Sequence, residues 1–219
     1  MYSDLLPQSP MTYIPAMMRR LRELDDASYL QGLLAYHAAP TLAGIKPASL
    51  VCPDGAGRDL EPALAACAER LGALFGVGVK SLGRRASVTL ILIYRSELLR
   101  SALAEREAAA LLRNSGYAAP PGDVPGLLAQ LRQKCSSADF PHEIGVFLGY
   151  PAADVRIFMA GGEIRPGRDA AALAWRAFGD LGPARCATRR FRSAKLLAAR
   201  LLAAGADLLT LAERLRQSG

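Results

Sequence analysis

VGVKSLGRRASVTLILIYR, residues 77–95, decides the fold. Two β-type runs, about 77–82 and 87–94, flank Gly83-Arg84-Arg85-Ala86, a pattern that predicts a β-hairpin. The second run, VTLILIY, is apolar at consecutive positions, so both of its faces need burial. A strand of that kind belongs in the centre of a sheet. Upstream, ASLVC at about 48–52 reads as a further short strand, which makes a sheet of about three strands.

Everything around these strands reads as helix. Residues 16–37 have helical periodicity with an interruption near Asp25-Asp26, where Asp26 is placed to cap a second helix. Asp59 precedes LEPALAACAERLGALF, and Ser96 precedes the long run ELLRSALAEREAAALLRNSG, which Asn114-Ser115-Gly116 closes. VPGLLAQLRQKC follows, and then helices at 140–149, 151–160, 168–179, 188–203 and 206–216. The fold class is α+β: a small, mainly antiparallel sheet covered by many helices, with a helical C-terminal half. We expect one domain over 1–219, with an irregular arm at 1–16 broken by three prolines, an α/β part at 17–135 and a helical part at 136–219.

Composition narrows the class. The 219 residues are 51% hydrophobic and 21% charged, which is globular material of a length that needs no disulfide or metal staple. The four cysteines form no CxxC pair and none stands at metal-ligand spacing from a histidine, so reduced thiols in a cytosolic protein are expected and no metal is assigned. No signal-peptide pattern opens the chain, and the longest apolar run is far short of the roughly 20 residues of a bilayer span. A cytoplasmic location without a membrane partner is expected.

Charge is uneven. Residues 1–150 carry 15 basic and 14 acidic side chains, whereas 151–219 carry 12 and 6. Between 181 and 206 there are six basic residues and no acid. Arg189, Arg190 and Arg192 make this stretch a candidate nucleic-acid or protein interaction surface. Against a dedicated nucleic-acid patch, 23 Arg stand beside 4 Lys in an Ala-rich chain, which is the mark of a general compositional bias.

FPHEIGVFLGYP, residues 140–151, holds one of the two histidines, next to a glutamate. With Asp139 as N-cap and Pro141 in the first turn, His142 and Glu143 sit at the positive end of a helix dipole. A neutral imidazole beside a carboxylate suits a ligand pair or acid/base chemistry. The competing reading is a plain helix start with Ile144, Phe147 and Leu148 buried. The same stretch with 151–159 has a helix-turn-helix outline, but Asp154 opposes phosphate and Arg156 alone could read a base. In YHAAPTLAGIKPASL, His37 and Lys46 precede a strand, and Pro47 holds Lys46 extended. Arg95 ends the central strand, where anions are often held. Neither phosphate-loop pattern nor GxSxG is present, and no haem attachment motif appears, so no cofactor is assigned.

APTLAGIKPASL (39–50), LILIYR (90–95), Gly116-Tyr117 and above all FPHEIGVFLGYPAADV (140–155) resemble an uncharacterised bacterial family, domain of unknown function 3793, over roughly 28–205. The resemblance implies a single cytosolic domain with no established activity and no established site residues. Members resemble a pattern with Cys-Gly-Tyr-Trp after the FPHEIG block, then a helix and another Cys. Here AGGEIRPGRDAAALAWRAF stands in that place, and only Cys186 matches the later Cys. A site built on that cysteine pair would be incomplete in this chain, which leaves His142 and Glu143 as the better candidates. The expectation is a cleft for a small anionic ligand or cofactor, with His142 and Glu143 at its centre, Lys46 and Arg95 holding the anion, and His37 and Tyr150 lining it. An enzyme using His142 and Glu143 for proton transfer, and an interaction module using the arginine-rich helix, remain the alternatives.

Overall fold

The computed structural model describes residues 10–85, 88–162 and 173–218. The strand β3 (Val88–Tyr94) lies between β1 (Ala48–Val51) and β2 (Gly78–Arg85), antiparallel to both. Its side chains alternate between two hydrophobic clusters. Ile91 and Ile93 enter one, and Leu90 and Leu92 enter the other. This alternation is why the strand is apolar at every position from Leu90 to Ile93. Each such side chain contributes about 1.5–3 kcal/mol by leaving water. The hairpin is present, but Gly83, Arg84 and Arg85 belong to β2 rather than to its turn. A bulge at Leu82 inserts one extra residue, turns Leu82 into the second cluster and lets the strand run on. Residues 86–87 lie outside the described residues.

One face of the sheet is covered by α1 (Pro10–Arg22), α2 (Asp26–His37), α3 (Ala39–Leu42), α4 (Leu64–Phe75), α10 (Leu181–Ala203) and α11 (Leu208–Arg216). Helix α1 already begins at Pro10, inside the stretch expected to be irregular. Asp25, not Asp26, caps α2: its Oδ1 accepts from Ser28 N at 3.0 Å. Asp59 accepts from Glu61 N and makes a turn, and α4 starts at Leu64. α10 is seven residues longer at its start than its periodicity suggested, because Asp180 caps it by accepting from Gly182 N and Pro183 fits the first turn.

The other face carries α5 (Ser96–Ala104), α6 (Arg106–Asn114), α7 (Val124–Cys135), α8 (Ile144–Phe147) and α9 (Ala152–Met159). The long helix after β3 is two helices, because Glu105 adopts φ −57°, ψ 138° between them. Ser96 does not cap; Arg95 occupies the cap position, without a side-chain hydrogen bond. The helix expected over 140–149 is one turn, α8. Asp139 caps nothing there, Glu143 takes the cap position without side-chain capping, and His142 precedes it. A four-residue helix supplies neither a helix-turn-helix scaffold nor the dipole invoked for His142. Residues 173–180 are not helical, and 163–172 lie outside the described residues. The reason is tertiary. Buried Asp154 accepts from Trp175 Nε1 at 2.8 Å and from Phe178 N at 3.0 Å, and Thr188 Oγ1 accepts from Ala174 N at 3.0 Å. No helix among the described residues is long and apolar enough to cross a membrane.

Candidate functional site

Two distant stretches of sequence meet at Pro47. Gly149 has φ +76°, and a Cβ there would come within 2.6 Å of Pro47 Cγ. Glycine is therefore required on two counts, backbone conformation and space. At Gly145 a Cβ would meet Val155 Cγ2 at 2.7 Å, so α8 and α9 also touch closely. The FPHEIGVFLGYP stretch thus docks onto the loop that carries Lys46. From the third side, Arg95 holds that loop. Its backbone N donates to Pro47 O at 2.9 Å, and its guanidinium donates to the carbonyls of Thr41 and Leu42 at the end of α3. The Leu42 carbonyl is one that a helix end leaves open, and Thr41 O accepts from Gly44 N as well. Thr41 and Ser49 hydroxyls join behind the loop at 2.8 Å.

The product is a cavity of about 320 Å³ lined by His37, Lys46, Tyr150, Thr188, Arg192 and Lys195, among others. Lys46 is 9% exposed. Its Nζ lies 5.0 Å from the Tyr150 ring centre and 5.5 Å from that of Phe191. Burial, and then the nearby Lys195 ammonium, lower its pKa to about 8. Burial lowers Lys195 as well, and its Nζ lies 5.9 Å from the Tyr36 ring centre. His37 stands at the exposed rim, where lost hydration and then Lys195 lower its pKa. Burial raises the Tyr150 phenol, keeping it a neutral donor. Among the described residues, no acidic side chain lines this cavity or pairs with either lysine.

Tyr150 is also the wall of a second cavity, about 270 Å³ and mostly apolar, lined by His142, Leu148, Phe158, Trp175 and Arg176 among others. Trp175 stacks on Tyr150 at 5.2 Å between centroids. The exposed His142 ring sits between Phe140 and Phe158, at 5.8 and 5.1 Å. Glu143 is 5% exposed and faces elsewhere: its Oε1 is 3.7 Å from Lys134 Nζ. Burial and then this carboxylate raise Tyr117, whose hydroxyl meets no partner at hydrogen-bonding geometry among the described residues. Burial first and Glu143 second push the Cys135 thiol up to about 11. The adjacent His142 and Glu143 therefore serve different surroundings: His142 the apolar cavity, Glu143 the interior.

The structure brings His37, Lys46 and Tyr150 together, and places His142 across the Tyr150 wall from them. Arg95 is not among the lining residues and instead holds the loop that presents Lys46. Of the three candidate arginines on α10, Arg192 lines the Lys46 cavity, while Arg189 and Arg190 are exposed beyond it. Lys195, Thr188 and Phe191 were not expected in a site. Their signal was in the sequence: 188, 191, 192 and 195 follow the i, i+3, i+4, i+7 rule of one helix face. All four cysteines are free; Cys52 and Cys186 are exposed, Cys67 and Cys135 buried. Among the described residues, no group of three or more His, Cys, Asp or Glu side chains converges for a metal ion.

No curated protein and no solved structure matches this chain. A family model does match, over residues 34–212, a span that includes the Lys46 loop, the whole sheet and the Tyr150 wall. Its description is protein of unknown function (DUF3793), and the chain belongs to that family.

Proposed function

We propose that the protein binds a small anion in the cavity between Lys46, Tyr150 and α10. The observation that carries this is a buried ammonium, Lys46, with no acidic partner among the described residues. A buried cation left unpaired is costly, and its depressed pKa expresses that cost. Lys195 and Arg192 add positive charge to the same space. An anion there offsets the Lys46 and Lys195 ammoniums at once. Thr188, Ser49 and the neutral Tyr150 phenol supply hydrogen bonds that orient such a ligand.

The sign with pH follows. Folding lowers the Lys46 pKa from 10.5 to about 8. The unfolded chain therefore binds more protons between those values, and stability rises as pH climbs through that window. Anion binding does the opposite, because it is strengthened when Lys46 is protonated and weakens above about pH 8. The test is a thermal-shift series with inorganic phosphate and small carboxylates against chloride at matched ionic strength, at pH 6.5 and 9.5. The expected result is a rise in Tm that is specific to the multivalent or carboxylate anions, larger at pH 6.5, and lost in Lys46→Met/Lys195→Met. Equal shifts with chloride, or shifts retained in the double variant, would show that the cavity holds no anion.

A further inference from the structure

We propose that Lys46 is a nucleophile that forms a Schiff base with the carbonyl of a small 2-oxo acid, whose carboxylate is held by Lys195 and Arg192. The proposal rests on the anion-binding reading and names its substrate class. Three features of the cavity carry it. First, the Lys46 amine is buried between the Tyr150 and Phe191 rings, not paired in an ion pair among the described residues. A lysine kept for structure alone usually finds a carboxylate when buried. Second, the other cations of the cavity, Lys195 and Arg192, lie one turn apart on the α10 face that also carries Phe191, beside the Lys46 ammonium. A small ligand in the cavity meets the Lys46 amine and the positive charge of that helix face together. A 2-oxo acid has the complementary pair, an electrophilic carbon next to a carboxylate. Third, desolvation beside a second ammonium is the established way to hold an amine ready for carbonyl attack.

Among the described residues, the groups that set the protonation of Lys46 are these. Lys195 on α10 and burial both favour the neutral amine, Arg192 and His37 add no negative charge, and no carboxylate among the described residues lines the cavity. With a pKa of about 8, the neutral fraction at pH 8 is on the order of a hundred-fold larger than for an ordinary lysine.

The step balances without an oxidant. The nitrogen lone pair attacks the carbonyl carbon and forms the C–N bond. The carbonyl π electrons move to oxygen, and a proton passes from nitrogen to that oxygen to give a carbinolamine. Protonation of its hydroxyl, loss of water and donation from nitrogen then give the C=N bond. Ser49, Thr188 and the neutral Tyr150 phenol are hydroxyls available in the cavity for these proton transfers.

The experiment is reductive trapping of the full chain with pyruvate and cyanoborohydride at pH 8, read by intact mass and by peptide mapping. Cyanoborohydride delivers hydride to the iminium carbon and makes the bond permanent. The chain has four lysines and one α-amino group, and the peptide map separates all five. One adduct per chain on Lys46, with Lys80, Lys134 and Lys195 unmodified and none trapped on Lys46→Arg after denatured controls, is the expected result. An adduct spread over all four lysines, or none, overturns the proposal. Wild-type mapping alone decides this if Lys46→Arg does not fold. Pyruvate without reductant is run in parallel by thermal shift. A shift without an adduct rejects the covalent step and leaves the anion site standing, whereas neither shift nor adduct rejects both.

Discussion

At the scale of single residues, the site depends on what is missing as much as on what is present. Gly149 has no Cβ, and this lets Tyr150 lie against the Lys46 ammonium, because the Pro47 ring occupies the place a methyl group would take. Gly149→Ala introduces both a left-handed backbone penalty and a 2.6 Å contact with a rigid ring. We expect a loss of about 2–3 kcal/mol in chemical denaturation. The same change should bring the Lys46 pKa back toward its ordinary value, because the Tyr150 wall retreats. Titration of the Lys46 amine, followed by reactivity toward an amine reagent across pH 7–11, checks this. A variant with full stability and an unchanged Lys46 titration would show that the Pro47–Gly149 contact does not build the cavity. Sequence alone exposed half of this. Lys46, His37 and Tyr150 were legible as functional types next to turns. That Gly149 stood against Pro47 was not, because the two are about a hundred residues apart and only the fold puts them together. His142 beside Glu143 was the most conspicuous pair in the sequence, yet adjacent residues on a turn point in different directions, and these two do.

At the scale of elements, local pattern succeeded where packing agreed with it and failed where tertiary hydrogen bonds overruled it. The central strand was legible because burial on both faces leaves an unbroken apolar run, LILI at 90–93, and the alternation of Ile91 and Ile93 against Leu90 and Leu92 is its direct consequence. The break at Glu105 was hidden, because ELLRSALAEREAAALLRN has neither Gly nor Pro. Residues 173–179 are Ala- and Leu-rich enough to read as helix, but Asp154 takes Trp175 Nε1 and the Phe178 amide, and those bonds hold an irregular segment instead. Asp154 is thus a clamp and not the phosphate-repelling tip of a reading helix. Asp154→Ala should leave two half-buried donors unmatched, at about 1–3 kcal/mol. Trp175 is the single tryptophan, so its emission reports the change directly. We expect a red shift and new tryptic cleavage at Arg176 in the variant. Native-like emission and protease resistance would mean that stacking on Tyr150 suffices to hold the segment.

At the scale of the whole molecule, the two ends of the chain share one core. Ala194, Ala198 and Ala199 of α10 and Leu208, Leu211 and Leu215 of α11 are buried in the same cluster as Met17, Leu21, Tyr29, Leu34, Ile91 and Ile93. The small side chains of α10 matter here, because alanines at 194, 198 and 199 allow close approach of α1 and α3. The division into an α/β part and a helical part therefore describes the order of elements along the chain. It does not describe two independent cores, since α5–α9 lie on the far face of the same three strands. From this we expect the full chain to unfold in a single cooperative transition, with coincident curves from far-ultraviolet circular dichroism and from Trp175 emission. A chain ending at residue 162 loses α10 and α11, and with them the cover over Ile91, Ile93 and Met17. It should show no cooperative transition, because the exposed cluster would amount to most of one side of the sheet. If the shortened chain unfolds cooperatively near the midpoint of the full chain, the N-terminal part holds its own core, and α10 would be an appendage whose residues could move relative to Lys46. That outcome would also remove the geometric basis for Lys195 and Arg192 acting on one ligand with Lys46. The integrity of the core and the chemistry of the cavity thus stand on the same packing of α10.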